Sequence, residues 1–171
     1  MVEFKYAELL PLGQDDTAYR LLSADHVSTA QFEGQTMLKV AAEGLEMLAE
    51  AAFKDVSHLL RPTHLAQLKK ILDDPESSAN DRYVALEMLK NAVIAAEMEF
   101  PMCQDTGTAI VMGKKGQQVW TGFSDEQALS KGVFNAYTQS NLRYSQNAPL
   151  SMYEEKNTGC NLPAYVETSA T

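Results

Sequence analysis

The chain has 171 residues, of which 45% are hydrophobic and 22% charged, and its formal net charge is −9. That length and composition suit one globular domain able to bury a core, so residues 1–171 are read as a single domain. The acidity, with no Lys/Arg cluster larger than "GKKGQ" at 113–117, argues against a nucleic-acid partner, and no apolar run approaches the roughly 18–20 residues of a membrane span.

The N-terminus "MVEFKYAELL" lacks a basic stretch followed by an apolar one, so no secretory leader is expected. The two cysteines, Cys103 and Cys160, are too few for a disulfide framework. Both are expected as thiols in a reducing, cytoplasmic compartment.

In chain order, "TAYRLLSADHVSTAQFEG" alternates loosely and predicts one or two short strands closing at Gly34. From Thr36 the apolar spacing becomes three-four, with Leu38, Ala41, Ala42, Leu45, Leu48, Ala49, Ala52, Phe53, Val56 and Leu60 on one stripe. This predicts an amphipathic helix ended by Arg61-Pro62. Thr63 is expected to cap a second helix stopping at Pro75, and Ser77 or Ser78 a third running to Pro101. "TAIVMG" at 108–113 reads as a short buried strand, and "KKGQQVWTG" as its hairpin-like continuation.

Ser124 through Gln127 forms a capping box opening a fourth helix, "DEQALSKGVFNAYTQSN". A loop-rich stretch with Pro149, Gly159 and Pro163 follows, and the final "AYVETSAT" alternates like a strand. No partner for that strand follows it, which reads as truncation. The fold class predicted is α+β: a helix-dominated N-terminal domain with short, mostly antiparallel strands.

The chemistry concentrates at "PMCQDTGTAI", residues 101–110, where a thiol, an amide, a carboxylate and a hydroxyl are consecutive at Cys103, Gln104, Asp105 and Thr106. Polar groups at a junction between an apolar helix and an apolar strand must be hydrogen-bonded or functional, because burying them unpaired is costly. Cys103 could be packing, a nucleophile, a zinc ligand, or one ligand of an iron–sulfur cluster. All three histidines, His26, His58 and His64, precede it by more than a predicted helix and read as surface or capping residues. No C-x2-4-C pair is present, and Cys160 is at no recognised ligand spacing from Cys103. Arg143, in "SNLRYSQNAP", is either a solvated charge past a helix end or a fork for a carboxylate.

Three stretches, "CQDTGTAIVMGKKGQQVWTG", "FNAYTQSNLRYSQNAPLSMYEEKNTG" and "NLPA", resemble the N-terminal domain of class I fumarate hydratases, the iron–sulfur fumarases. The likeness extends from about residue 13 to residue 164. It implies a hydro-lyase of the citric acid cycle that reversibly hydrates fumarate to S-malate. It also implies a [4Fe-4S] cluster held by three cysteines and a homodimeric parent. On this resemblance Cys103 is one of the three cluster ligands, Gln104 and Asp105 contact the dicarboxylate substrate with Asp105 catalytic, and Arg143 clamps a substrate carboxylate.

The chain departs from that pattern in four respects. Family members are far longer, their other two cluster cysteines lie beyond the end of this sequence, and Cys160 matches neither. Tyr165 stands where relatives usually carry glutamine, so the tail is expected to diverge. One cysteine cannot hold a cubane cluster. The expectation is therefore a partial site, inactive and without a cluster on its own, whose C-terminal domain is absent. Two rivals accompany it: a related tartrate dehydratase-like hydro-lyase, and a non-catalytic module or subunit needing a second chain.

Overall fold

The computed structural model describes residues 3–8, 11, 13, 18–103 and 107–171. It holds four helices and seven short strands among those residues, an α+β arrangement. Strands β1 (Val27–Phe32) and β2 (Gln35–Val40) form an antiparallel hairpin with Phe32 opposite Gln35. Glu33 and Gly34 both have positive φ, 49° and 79°, the backbone that lets a two-residue loop follow the strand twist.

Thr36–Val40, expected to open the first helix, belongs instead to β2. Pairing with β1, and a bond from the Leu38 amide to the Gln118 carbonyl at 2.8 Å, claim this backbone for the ladder. Helix α1 (Ala42–His58) therefore starts only after Ala41, which offers no side-chain cap.

Helix α2 (Pro62–Asp73) begins with its proline in the first turn, where a missing N–H costs nothing. The cap position is thus Arg61, not the expected Thr63. Helix α3 (Ala79–Ala95) opens on a reciprocal capping box between Ser78 and Asp81. It stops short of the expected Pro101, because Met98 turns left-handed at φ 65°. Leu68 of α2 and Ala85 of α3 are buried.

Helix α4 (Asp125–Gln139) packs across α1 at very close range. A Cβ on Gly132 would lie 2.3 Å from the Glu46 carbonyl oxygen and 2.7 Å from the Ala49 Cβ, so the two backbones nearly touch. Beside that seam sits the core of Ala109, Val133, Ala136, Tyr137 and Leu142, with the Phe53 and Tyr137 rings 6.1 Å apart.

Strand β3 (Ile110–Lys115) is neither buried nor the first arm of a hairpin. Its ladder partner is the last strand, β7 (Tyr165–Ala170), parallel to it over six residue pairs. Strand β4 (Val119–Trp120) turns away to extend β2, also in parallel. The partner of the final strand thus lies upstream of it, in β3. A two-residue tie between strands distant in sequence leaves no local signature. The loop-rich stretch carries a small antiparallel hairpin, β5 (Asn147–Pro149) with β6 (Glu155–Asn157). Antiparallel pairing thus accounts for the two hairpins, and the two long-range pairings are parallel.

The predicted stripe of α1 is only half covered. Ala49 is buried, whereas Leu48 and Val56 are exposed and, with Ile110 and Met112 of β3, line an open apolar groove of about 550 Å³.

Candidate active site

Cys103 sits on the turn between α3 and β3, and three backbone ties fix its approach. The Met102 amide donates to the Ser57 carbonyl at 2.9 Å, anchoring the segment to the end of α1. The Cys103 amide donates to Asn91 Oδ1 at 3.1 Å, anchoring it to α3. The Cys103 carbonyl accepts from Arg143 Nη2 at 3.1 Å, joining it to the loop after α4. Cys103 is exposed, so it is a thiol at an accessible turn rather than packing. The expected Gln104, Asp105 and Thr106 lie outside the described residues.

Of the predicted site residues the structure describes, it brings together Cys103 and Arg143. The Arg143 loop is held by Asn161, whose side chain is fully buried. Asn161 Oδ1 accepts from the Ser145 and Gln146 amides, each at 2.8 Å, and Nδ2 donates to the Gly107 carbonyl at 3.0 Å. Thr108 Oγ1 adds a bond to Gln146 Oε1 at 2.9 Å. Asn157 Nδ2 donates to the Tyr144 carbonyl at 2.7 Å. The two halves of the site, 40 positions apart in sequence at Cys103 and Arg143, are thus registered by side-chain amides.

Sequence reasoning missed Asn91 and Asn161. "NTGCNLP" drew attention to Cys160, which is only half-buried. The available signal was the neighbouring asparagine between a glycine and a proline. Asn tolerates the left-handed backbone found there, φ 57°, and its amide can both donate and accept.

Of the histidines expected at the surface or as caps, His64 is exposed, whereas His58 is fully buried at the end of α1. Its Nδ1 lies 2.7 Å from the Lys54 carbonyl, closing the last turn of α1. Burial follows because the end of α1 is covered by the incoming 102 segment.

No three His, Cys, Asp or Glu side chains gather to hold a metal ion among the described residues. The exposed Cys103 thiol suits one corner of an iron–sulfur cluster, and no further corner is found among those residues.

A separate polar knot lies at one end of the groove. Lys115 Nζ donates to Thr121 Oγ1 at 2.9 Å and to Asp125 Oδ2 at 2.6 Å. Burial pushes the Asp125 carboxyl upward, but its bonds to Lys115 and Thr121 and the Lys115 charge outweigh this and hold it below the usual carboxylate range.

The fumarate hydratase (Fumerase) family model matches residues 46–171 of this chain, well over half of it. The chain belongs to the fumarate hydratase family. It is 59% identical over 167 residues to "Fumarate hydratase class I, aerobic" of Escherichia coli (strain K12), covering 98% of this chain and 30% of the relative. It is 58% identical over 167 residues to "Fumarate hydratase class I, anaerobic" of the same strain, again covering 98% and 30%. With "Fumarate hydratase 1, mitochondrial" of Leishmania major it shares 49% over 174 residues, covering 100% and 32%.

The chain thus spans about a third of the length of the curated relatives it matches. The family match reaches Thr171, so the expected divergence from Tyr165 onward is overturned. Tyr165 opens β7, and the residues after it are tied to β3 through the ladder. No helix is long and apolar enough to cross a membrane among the described residues.

Proposed function

We propose that this chain supplies the N-terminal half-site of a class I hydro-lyase that reversibly hydrates fumarate to S-malate, its parent being a homodimer. One observation carries the reading: in a member of this family, Arg143 reaches across the fold to bond the backbone of Cys103. A guanidinium is thereby placed beside an accessible thiol, which suits a small dicarboxylate brought up to a thiolate-held centre.

In this reading Arg143 binds one substrate carboxylate and orients it against the Cys103 turn. Gln104 positions the substrate, and Asp105 moves a proton as general acid or base. Cys103 contributes one thiolate, and a bound [4Fe-4S] cluster would supply Lewis acidity at an iron not held by cysteine. The other two ligands come from outside this sequence.

The test is a chimera in which this segment replaces the equivalent third of the E. coli aerobic enzyme, reconstituted anaerobically with iron and sulfide. It is expected to form malate from fumarate. Cys103→Ser is expected to abolish activity. Arg143→Lys is expected to raise KM about 10- to 100-fold, the value of a lost bidentate charge-assisted pair. A clear preference for tartrate over malate would overturn the substrate assignment. A brown, active protein from the 171-residue chain alone would overturn the half-site assignment.

A further inference from the structure

We propose that Asn161 is the positioning residue that sets the distance between the carboxylate-binding arginine and the cysteine turn, an inference that rests on the hydratase reading of Cys103 and Arg143. Asn161 acts through two backbone segments that flank them. Oδ1 gathers the amides of Ser145 and Gln146, just after Arg143, and Nδ2 holds the carbonyl of Gly107, just after the cysteine motif.

Both acceptor lone pairs of the amide oxygen are used, and the side chain is fully shut off from solvent. Few side chains could replace it. Asp would present a second acceptor to the Gly107 carbonyl, Gln would not fit the same span, and an apolar residue would leave three part-buried backbone groups without this partner. A backbone at φ 57° further narrows the choice to residues that accept the left-handed region.

The consequence is a split in function within one amide. The oxygen shapes the arginine loop, and the nitrogen registers that loop against the cysteine turn. Asn161→Asp separates the two, because the carboxylate keeps the acceptor and loses the donor.

In the isotope-labelled 171-residue chain, Asn161→Asp is expected to leave the Ser145 and Gln146 amides protected from hydrogen exchange. The Cys103 amide, which donates to Asn91 Oδ1, is expected to exchange about tenfold faster or more, because the turn loses the tie between Asn161 Nδ2 and the Gly107 carbonyl. In the chimera, the same substitution is expected to raise KM for fumarate about tenfold with a smaller change in kcat, since it misplaces a binding group. A residue that merely stabilised the fold would move neither the split in protection nor the ratio of KM to kcat.

Unchanged Cys103 exchange overturns the proposal, and so does unchanged KM in an active chimera. If Asn161→Asp does not fold, the unmutated chain decides. A scalar coupling across the hydrogen bond between Asn161 Nδ2 and the Gly107 carbonyl is expected, and its absence overturns the proposal. An unmutated chimera that is inactive counts against the hydratase reading alone, because the exchange and coupling measurements need no activity.

Discussion

Two carboxylates outside the site, Asp81 and Asp125, are held below their ordinary range by hydrogen-bond partners. Ser78 bonds to Asp81 through its side chain and backbone, and these bonds hold the Asp81 carboxyl below its ordinary value of 3.8. Asp125 is held low by Lys115 and Thr121 against the opposing effect of burial. A carboxyl whose folded pKa is depressed adds stability above the unfolded value and loses it as pH falls through the folded one. These two carboxylates are therefore expected to contribute their full stability above about pH 5 and to lose it progressively below about pH 4, where the unfolded carboxylates take up protons first. Asp125→Asn is expected to lower stability at neutral pH and to flatten this acid limb, both readable from urea unfolding across pH. Ser78→Ala is expected to cost about 1 kcal/mol at neutral pH, the usual value of a lost N-cap. That deficit should shrink in acid, as Asp81 loses its charge. A serine cap was legible in sequence as Ser77 or Ser78, and the structure settles it on Ser78; the Lys115–Asp125 pair was not legible, because the turn after β3 brings it together.

At the scale of elements, two glycines make the packing testable with opposite signs. Gly132 lies where α4 crosses α1, and an added Cβ would meet backbone at 2.3 Å. Backbone cannot yield as a side-chain tip does, so Gly132→Ala is expected to destabilise by roughly 1–3 kcal/mol. Gly113, in β3, would place its Cβ 3.7 Å from Thr168 Cγ2, an ordinary contact. Gly113→Ala is expected to be neutral or to stabilise by up to about 1 kcal/mol, since glycine weakens a strand interior. Thermal melts of the two variants check both signs. The helices themselves were legible from periodicity and caps, including Ser78 and Ser124. Their ends were less so: β2 took Thr36–Val40 from α1 because a neighbouring strand outbid local spacing, and α3 ended early at a left-handed Met98.

At the scale of the whole molecule, the apolar groove is the open feature. Leu48 and Val56 of α1 and Ile110 and Met112 of β3 are all more than half exposed, beside a parallel two-stranded ladder. Parallel sheets are ordinarily covered on both faces, so such a surface favours association. Concentration-dependent self-association is expected in sedimentation velocity, and Met112→Lys is expected to weaken it. An unchanged sedimentation profile in that variant would remove the groove from the contact. The same scale decides the site. Cys103 and Arg143 were both legible as candidates, but the hydrogen bond that joins them was not.

The sequence by itself determined what is encoded over a few residues or one helical turn. That covers the four helices, the Ser78 and Ser124 caps, the turn at Gly34, the α+β class, and the motifs by which the family is recognised. Only the tertiary structure decided the β3–β7 pairing, the burial of His58, the uncovered half of the α1 stripe and the three bonds of the buried Asn161. The physical reason is range. Caps and periodicity express contacts between residues three or four apart, whose geometry the backbone fixes locally. A parallel ladder or a buried amide joining three backbone groups requires segments tens of residues apart to meet, and which segments meet is settled by competition among all the surfaces that need covering.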